Sequence, residues 1–221
     1  MDFADYIDHT LLAPTATPID IAKLCAEATE LSFAAVCVPP VFVQQAVLAV
    51  QETDVKVATV IGFPLGYNTT DTKLHEAREA LEAGANELDM VQNLGWLKSG
   101  DWDALHDEAT RMMMLVKSTG AILKIILETA ALTEEEIIRC CETYAPLGIH
   151  FLKTSTGFHP AGGASVEAVK TLRAHLPQSL QIKASGGIRT FAFAKELIEA
   201  GATRIGASAS VALAKEAAGA A

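Results

Sequence analysis

The chain has 221 residues, half of them hydrophobic, which suits a single domain with a sizeable core. Its formal net charge of −10 excludes a generally basic surface. We therefore expect no nucleic-acid partner, and an anionic ligand would need a local site of cations or backbone amides. No apolar run approaches the roughly 18 residues that span a membrane, and the acidic amino terminus does not resemble a signal peptide.

Short apolar or β-branched segments alternate with amphipathic stretches along the chain. They predict eight strands, at residues 7–12, 34–38, 55–61, 87–91, 122–127, 149–153, 180–184 and 203–207. Between them, Thr17-Pro18 and the segment 133–136 have the pattern of helix starts, the second as a capping box. Gly84, Gly148 and Gly201 follow helical stretches, where a left-handed residue would end each helix.

Eight strands alternating with helices predict a parallel sheet in an α/β fold. Eight such units in a chain of this size fit one TIM (β/α)8 barrel over residues 1–221. An open doubly wound sheet is the alternative, but no GxGxxG motif follows the first strands to indicate dinucleotide binding.

Three lysines lie on predicted apolar strands, where a charged side chain is costly to bury: Lys124, Lys153 and Lys183. Barrel enzymes place catalytic groups at the carboxyl ends of strands, where Lys153 and Lys183 stand on neighbouring strands. If they lie close together, each disfavours the other's charge, so one can be a neutral amine near neutral pH. Such an amine attacks aldehydes and ketones, and the resulting iminium is an electron sink for breaking or forming a carbon–carbon bond.

Asp89, in the predicted strand 87–91, could move the protons of this reaction through water and a lysine. Plainer interpretations remain open for the polar residues near the strand ends. Asp89 could simply pair with a lysine, and Lys124 could serve mainly to place Asp89. Asp8 could be a loop or cap residue, and Cys37 is more often a small buried hydrophobe than a nucleophile.

The cysteines and histidines show no metal pattern. Four cysteines lack CxxC and zinc spacing, and the adjacent Cys140 and Cys141 are poor candidates for a disulfide. The six histidines are scattered. We therefore expect no metal, no other cofactor, and a reduced, cytoplasmic protein without a membrane partner.

Glycine-rich segments follow the last three predicted strands. Gly186 and Gly187 let backbone amides approach a ligand, and Thr190 can cap the next helix. Gly157 and the small residues of 205–210 add to this pattern. Because barrels often bind phosphate with the loops after strands seven and eight, the pattern predicts a phosphate site. The alternative is that these glycines only make tight turns.

Several longer motifs resemble one protein family. They are IDHTLLAPTAT at 7–17, ELDMVQNLGWLKSGD at 87–101, LKIILET at 123–129, FLKTSTGF at 151–158, KASGGIRT at 183–190 and RIGAS at 204–208. Over residues 6–216 the chain is similar to the deoxyribose-phosphate aldolases. The resemblance implies a class I, cofactor-free aldolase on a (β/α)8 barrel. It implies reversible cleavage of 2-deoxy-D-ribose 5-phosphate to D-glyceraldehyde 3-phosphate and acetaldehyde, in deoxyribonucleotide catabolism.

The resemblance also implies the roles of individual residues. Lys153 is the Schiff-base lysine, Lys183 the second lysine that lowers its pKa, and Asp89 the general acid/base. The implied pocket residues are Asp8, Cys37, Lys124 and Thr156. The implied phosphate-binding residues are Gly157, Gly186, Gly187, Gly206 and Ser208. The expected partners are sugar-phosphate and aldehyde substrates and a second copy of the chain in a homodimer.

Three positions depart from the family's pattern. Ala209 replaces the second serine of GASSG, so we expect weaker but not abolished phosphate affinity. His159 stands where a smaller residue is expected. The carboxyl-terminal KEAAGAA has no tyrosine, which some members use to help proton transfer, so water or another group would supply that help.

Two other functions compete with the aldolase. Another Schiff-base barrel enzyme, such as a transaldolase or a dehydratase, would keep Lys153 but would not need Lys183 together with Asp89. A non-catalytic sugar-phosphate binding protein would need none of the three.

Overall fold

The structure is a computed structural model that describes residues 2–219. In these residues eight parallel strands close into a barrel, with each strand hydrogen-bonded to its neighbours in sequence and the last paired with the first. The strands are β1 (Ile7–Thr10), β2 (Ala35–Val38), β3 (Lys56–Ile61), β4 (Glu87–Val91), β5 (Ile122–Ile126), β6 (Phe151–Lys153), β7 (Gln181–Ser185) and β8 (Arg204–Ala207). The predicted TIM (β/α)8 barrel is confirmed.

Helices follow the strands and form the outer layer. They are α1 (Pro18–Glu30), α2 (Val43–Val50), α3 (Thr70–Glu82), α4 (Leu94–Ser99), α5 (Trp102–Lys117), α6 (Glu134–Tyr144), α7 (Val166–His175), α8 (Phe191–Glu199) and α9 (Ser210–Gly219). Short 3-10 segments lie at Phe3–Tyr6, Pro40–Phe42, Thr129–Ala131 and Ala145–Leu147. Residues 220 and 221, part of the tail predicted to lack a helpful tyrosine, lie outside the described residues.

The helix boundaries follow the signals in the sequence. Thr17 caps α1 in a capping box with Asp20, and Thr133 caps α6 in another with Glu136. The glycines predicted to end helical stretches all have positive φ, which side chains disfavour: Gly84, Gly148 and Gly201. These predictions are confirmed. Strand β6 is two residues shorter than predicted, because the left-handed turn at Gly148 delays its start to Phe151.

The barrel interior has an apolar side and a charged side. Cys37, Ala58 and Val60 fill the side formed by β2 and β3. The outward faces of the strands pack against the helices in one large hydrophobic core. The remaining strands carry charged residues into the interior. Such charges need partners when they are buried, so they define the part of the barrel in which chemistry can occur.

Candidate active site

A cluster of charged side chains fills one side of the barrel interior. Its three carboxylates and four cationic groups come from six strands: Asp8, Glu87, Asp89, Lys124, Lys153, Lys183 and Arg204. Glu87 and Asp89 are two residues apart on β4 and therefore face the same side. Lys124 lies beside Asp89 in the register of β5, and Lys153 lies beside Lys183 across β6 and β7.

Asp89 is the centre of this charged network. Its Oδ1 accepts a hydrogen bond from Lys124 Nζ at 2.7 Å. Its Oδ2 accepts from both Lys153 Nζ and Lys183 Nζ, each at 2.8 Å. One carboxylate therefore brings together the two lysines that the sequence pairs, and Lys124 holds its other oxygen.

The network has an outer half that extends away from Asp89. Asp8 accepts from Lys183 through Oδ2 and from Arg204 Nη1 through Oδ1, the latter at 2.5 Å. Glu87 lies 2.5 Å from Lys124 Nζ and 3.4 Å from Arg204 Nη1. Asp8 is therefore a member of the barrel interior on β1, not a loop or cap residue.

The sequence interpretation missed Glu87 and Arg204. A usable signal was present for Glu87, because it precedes Asp89 by two residues in a short strand and must share its face. Arg204 likewise precedes Gly206 by two residues on β8. The guanidinium lies 5.4 Å from the centre of the Phe151 ring, an aromatic contact that only the folded barrel creates.

The two central lysines have opposite pKa shifts. Burial lowers the pKa of Lys153, and Lys183 lowers it further, against the single carboxylate of Asp89. Burial also lowers the pKa of Lys183, but Asp8 and Asp89 together more than offset it, so that the net pKa is raised. Lys183 therefore keeps its proton, and Lys153 is the lysine that is set up to lose one.

Asp8, Asp89 and Lys124 are ionised. Burial would raise the pKa of Asp89, but Lys124, Lys153 and Lys183 more than offset it and hold it well below the usual value. The pKa of Asp8 is lowered in the same way, against burial, by the cations around it. Burial lowers the pKa of Lys124, but its carboxylate partners raise it above the usual value.

The number of charges in the network also favours a neutral Lys153. With every group ionised, four cations face three carboxylates, and one positive charge is unbalanced in a buried site. If Lys153 is neutral, the remaining three cations balance the three carboxylates. An unbalanced buried charge is costly, so charge balance favours the neutral amine at Lys153.

A cavity of about 400 Å³ lies at the carboxyl ends of the strands. Of the described residues of the network, Lys153 alone lines it. Thr156 and the five predicted phosphate-binding residues also line it: Gly157, Gly186, Gly187, Gly206 and Ser208. Asp89, Lys183, Asp8, Cys37 and Lys124 do not line it and are fully buried. The nucleophile candidate therefore stands at the floor of the cavity, and its charged partners lie beneath it.

Close glycine packing shapes one wall of the cavity. A Cβ at position 163 would lie 2.2 Å from the carbonyl oxygen of Gly186, and one at 186 would lie 3.0 Å from Gly163 Cα. Gly186 and Gly187 also have φ of 87° and 77°. The exposed side chain of Arg189 lines the same cavity, and the sequence interpretation missed it. A cation among small residues with accessible amides suits an anion.

Glu128 holds the cavity wall next to Lys153. Its carboxylate accepts from the backbone N–H of Thr156 at 3.1 Å and from its hydroxyl at 2.6 Å. Thr156 Oγ1 in turn accepts from Phe158 N at 3.1 Å. Glu128 is buried and has a left-handed backbone with φ of 61°, an uncommon conformation for this residue type. These hydrogen bonds fix the loop after β6 and offset the cost of the left-handed backbone at Glu128.

Three other predicted positions lie away from the cavity. Cys37 is buried beside Ala58 and Val60, and burial raises the pKa of its thiol. It is therefore a neutral thiol in the apolar half of the barrel. His159 and Ala209 do not line the cavity, and His159 Nδ1 accepts from Ala161 N at 3.1 Å.

Metal-ligand clusters and membrane-spanning helices are both absent from residues 2–219. In that range no three His, Cys, Asp or Glu side chains group in a way that could hold a metal ion. Within the same range, every helix is too short or too polar to cross a bilayer. All four cysteines fall in this range and are free thiols.

A (β/α)8 barrel with a cavity lined by Lys153 and Arg189 at the carboxyl ends of its strands defines a barrel enzyme with a small-molecule substrate. The chain belongs to the DeoC/LacD family of aldolases, whose model matches residues 3–220. It is 53% identical over 217 residues to a deoxyribose-phosphate aldolase of Thermoanaerobacter sp. (strain X514), covering 98% of this chain and 97% of the relative.

Two further relatives agree with this family. A deoxyribose-phosphate aldolase of Caldanaerobacter subterraneus subsp. tengcongensis is 52% identical over 217 residues, covering 98% of this chain and 94% of that protein. A solved tetrameric structure of deoxyribose phosphate aldolase from Aeropyrum pernix superposes with a TM-score of 0.89 at 36% identity. It covers 96% of this chain and 89% of that one. The resemblance noted in the sequence motifs is confirmed.

Proposed function

We propose that this single-domain barrel is a class I aldolase that reversibly cleaves 2-deoxy-D-ribose 5-phosphate to D-glyceraldehyde 3-phosphate and acetaldehyde. Degradation of deoxynucleosides would supply this substrate. One observation carries the proposal: among the described network residues only Lys153 lines the cavity, and both burial and Lys183 lower the pKa of its amine. The names of the relatives supply the identity of the sugar.

The first step is imine formation. The neutral Nζ of Lys153 attacks the C1 aldehyde of the open-chain sugar, and uptake of one proton with loss of water gives an iminium. This iminium adds a positive charge to a network that was balanced with Lys153 neutral. The iminium state is therefore electrostatically unfavourable, which favours any step that delivers an electron pair to the nitrogen.

Carbon–carbon cleavage delivers that pair. A base removes the proton of the C3 hydroxyl and the C2–C3 bond breaks, so that C3 becomes the aldehyde of glyceraldehyde 3-phosphate. The bonding pair forms the C1–C2 double bond of a neutral enamine. Protonation of C2 and attack of water then release acetaldehyde and restore the amine. The Lys153 nitrogen is neutral in both the amine and the enamine, and the proton from the C3 hydroxyl stays on the base until a later step.

Asp89 and Lys183 serve these proton transfers as a pair. Asp89 is held ionised and can only accept protons at neutral pH, whereas Lys183 is held protonated. They share a 2.8 Å hydrogen bond at the oxygen that also contacts Lys153. We assign the relay between the cavity and this hydrogen bond to water, with Asp89 as the acceptor and Lys183 as the donor.

The phosphate would bind on the opposite wall. Residues just before two helices line the cavity there: Arg189 precedes α8, and Ser208 precedes α9. Helix amino termini and glycine amides favour anions, and the guanidinium adds a full charge. A local site of this kind allows a chain of net charge −10 to bind a phosphate.

The same proposal includes a cytoplasmic homodimer. Large apolar side chains are exposed along the adjoining segments α1, Pro40–Phe42 and α2: Ile19 and Val41 at 81%, and Leu48 at 60%. Gln45 Nε2 donates to Pro18 O at 2.7 Å, which holds α1 and α2 together. Exposed apolar groups on neighbouring helices suit a self-association surface.

The decisive experiment traps the imine. The protein is incubated with acetaldehyde and sodium borohydride, digested, and mapped by mass. An ethyl adduct on the peptide that carries Lys153 supports the proposed nucleophile. An adduct on Lys183 or Lys124 would keep an imine enzyme and overturn this assignment. A folded protein with no specific adduct would count against the enzyme altogether.

Turnover identifies the reaction among Schiff-base enzymes. Deoxyribose 5-phosphate is supplied with EDTA present, and acetaldehyde is measured with a coupled dehydrogenase. Acetaldehyde release that is insensitive to EDTA supports the aldolase. A trapped adduct without acetaldehyde release would favour a transaldolase or a dehydratase instead.

A further inference from the structure

The charged network continues from the cavity to the opposite end of the barrel. Lys153 is the last residue of β6, whereas Arg204 and Glu87 are the first residues of β8 and β4. Because the strands are parallel, Arg204 and Glu87 lie at the amino-terminal end of the barrel. The Arg204 side chain is 14% exposed, and the other network side chains are at most 3% exposed.

A continuous series of ion pairs joins the two ends. Arg204 contacts Asp8 at 2.5 Å, and Asp8 contacts Lys183. Lys183 and Lys153 both contact Asp89 Oδ2 at 2.8 Å. Every member between Arg204 and Lys153 is fully buried, so little water is available to screen one charge from the next.

A second series runs in parallel. Glu87 lies 3.4 Å from Arg204 and 2.5 Å from Lys124, which contacts Asp89 at 2.7 Å. Arg204 and Glu87 therefore supply one charge of each sign to the end of the network remote from the cavity. Neither residue lines the cavity, so neither can touch a substrate there.

We propose that Arg204 and Glu87 act as remote positioning residues that set, through this network, how readily Lys153 gives up its proton. The inference rests on the proposed function, in which neutral Lys153 attacks the aldehyde. With Arg204 present, the network holds one cation too many unless Lys153 is neutral. Without it, a protonated Lys153 would be balanced. Loss of Glu87 acts in the opposite sense.

Other charged and titratable groups face the network from each surrounding element. They are Cys37 on β2, Glu128 after β5, His150 before β6, and Arg189 in the cavity wall after β7. The interior residues of β3, Ala58 and Val60, carry no charge. Burial raises the pKa of the Cys37 thiol, which stays neutral. None of the variants that test this inference replaces Asp89 or either of its partners Lys124 and Lys183.

The test follows the initial rate of ethyl-adduct formation at Lys153, with acetaldehyde and cyanoborohydride, between about pH 5 and pH 10. Arg204→Met removes the charge and keeps the length of the side chain. Its acid limb, the part of the rate–pH profile where the rate falls as Lys153 takes up a proton, should move to higher pH by up to about one unit, the lower end of the effect of a charge a few ångströms away. Arg204→Lys keeps a cation and should leave the limb in place. Arg111→Met, which removes an exposed arginine from a surface pair with Asp71, is the matched control and should not move it.

A double variant distinguishes a change in the pKa of Lys153 from general damage to the folded protein. The double variant Arg204→Met/Glu87→Gln removes one charge of each sign, so its limb should return toward that of the wild type. Glu87→Gln alone should move the limb to lower pH. A folded Arg204→Met protein whose limb coincides with the wild type would overturn the inference. If Arg204→Met does not fold, an unmoved limb in folded Glu87→Gln would overturn it. Absence of any adduct in the wild type would instead overturn the proposed function.

Discussion

Lys153 and Lys183 donate to the same oxygen of Asp89, each at 2.8 Å, yet only Lys183 also contacts a second carboxylate, Asp8. This asymmetry separates two lysines that occupy equivalent places on neighbouring strands. The lysine with two carboxylates keeps its proton, and the lysine with one carboxylate can lose it. Two identical side chains that share an acceptor therefore differ in how strongly each holds its proton.

The first prediction tests these two roles. Lys153→Ala should abolish both turnover and the trapped adduct, because no other amine lines the cavity floor in the described residues. Lys183→Leu should still form an adduct but lose turnover by roughly a hundredfold or more, the scale of a lost proton-transfer partner. Its rate optimum should move to higher pH, because the removed charge no longer lowers the pKa of Lys153. Steady-state rates against pH, with circular dichroism as the folding control, check both. An unchanged optimum in Lys183→Leu would contradict the account of nucleophile activation.

Much of this arrangement could be predicted from the sequence. Strand and helix boundaries follow from local signals such as Thr17, Thr133 and Gly148, because caps and left-handed turns are set within a few residues. The lysine pair followed from two similar strand ends.

Other features depend on contacts between residues far apart in the chain. Arg204 meets Asp8 and Glu87 only when β8 closes the barrel onto β1. Which lysine keeps its proton depends on the contact between Asp8 and Lys183, and no local sequence pattern predicts that contact. Charge balance among groups from six strands is a property of the closed barrel, and it cannot be read from any one segment.

The second prediction concerns Gly187, in the wall of the cavity proposed to bind phosphate. Gly187 and Gly148 both have positive φ, 77° and 74°, and a Cβ at either would meet no atom within 4 Å. Alanine at each should therefore cost about the same stability, roughly 1–2 kcal/mol of backbone strain. Gly187 lines the cavity and Gly148 does not. In Gly187→Ala the added methyl group would stand between the phosphate and the backbone amides of this loop. The KM for deoxyribose 5-phosphate should therefore rise about tenfold, which corresponds to loss of roughly one hydrogen bond to a charged group. Equal KM values in the two variants would exclude Gly187 from phosphate binding.

The third prediction concerns the loop after β6. Thr156→Val removes the hydroxyl that donates to Glu128 at 2.6 Å and leaves a buried carboxylate oxygen unpaired. This should cost about 1–3 kcal/mol of stability and raise KM, because the loop beside Lys153 loses its anchor. Thr156→Ser keeps the hydroxyl and should restore both values. Thermal unfolding and steady-state kinetics on the pair give the answer, and a serine variant as poor as valine would point to packing of the methyl group.

The fourth prediction concerns Ala209, one of the three positions that depart from the family's pattern. Ala209 precedes α9, and its carbonyl accepts from Leu213 N at 3.1 Å, which makes it the helix cap. Ala209→Ser would add a side-chain acceptor for the free amides of the first turn and should stabilise the protein by about 1 kcal/mol. The expected rise in Tm is about 2–4 °C for a chain of this size. Ala212→Ser, inside the same helix, is the matched control and should stabilise nothing. Equal Tm changes in both variants would show that no cap forms.

The fifth prediction concerns how the free energy of unfolding falls at low pH. The folded-state pKa values of Asp8 and Asp89 are both lowered from an ordinary value of 3.8, despite burial, because cations surround them. A lowered pKa in the folded state means that the stabilisation is complete above the unfolded value and is lost as the pH falls through the folded values. These two residues therefore make unfolding free energy insensitive to pH above about 5 and strongly dependent on it below about 4.

Lys183, by contrast, has a raised pKa, so its contribution is present below 10.5 and is lost only as the pH rises through the folded value. Asp89→Asn should lower stability at pH 7, because Lys124, Lys153 and Lys183 lose their shared carboxylate. Its acid limb should be shallower than that of the wild type, because one fewer carboxylate takes up a proton on unfolding. Asp71→Asn, in an exposed pair with Arg111, should keep the wild-type limb. Denaturant unfolding at a series of pH values measures all three proteins. If Asp89→Asn and the wild type lose stability in parallel below pH 4, the buried network does not hold the Asp89 carboxylate as described, and the assignment of Asp89 as an ionised proton acceptor falls with it.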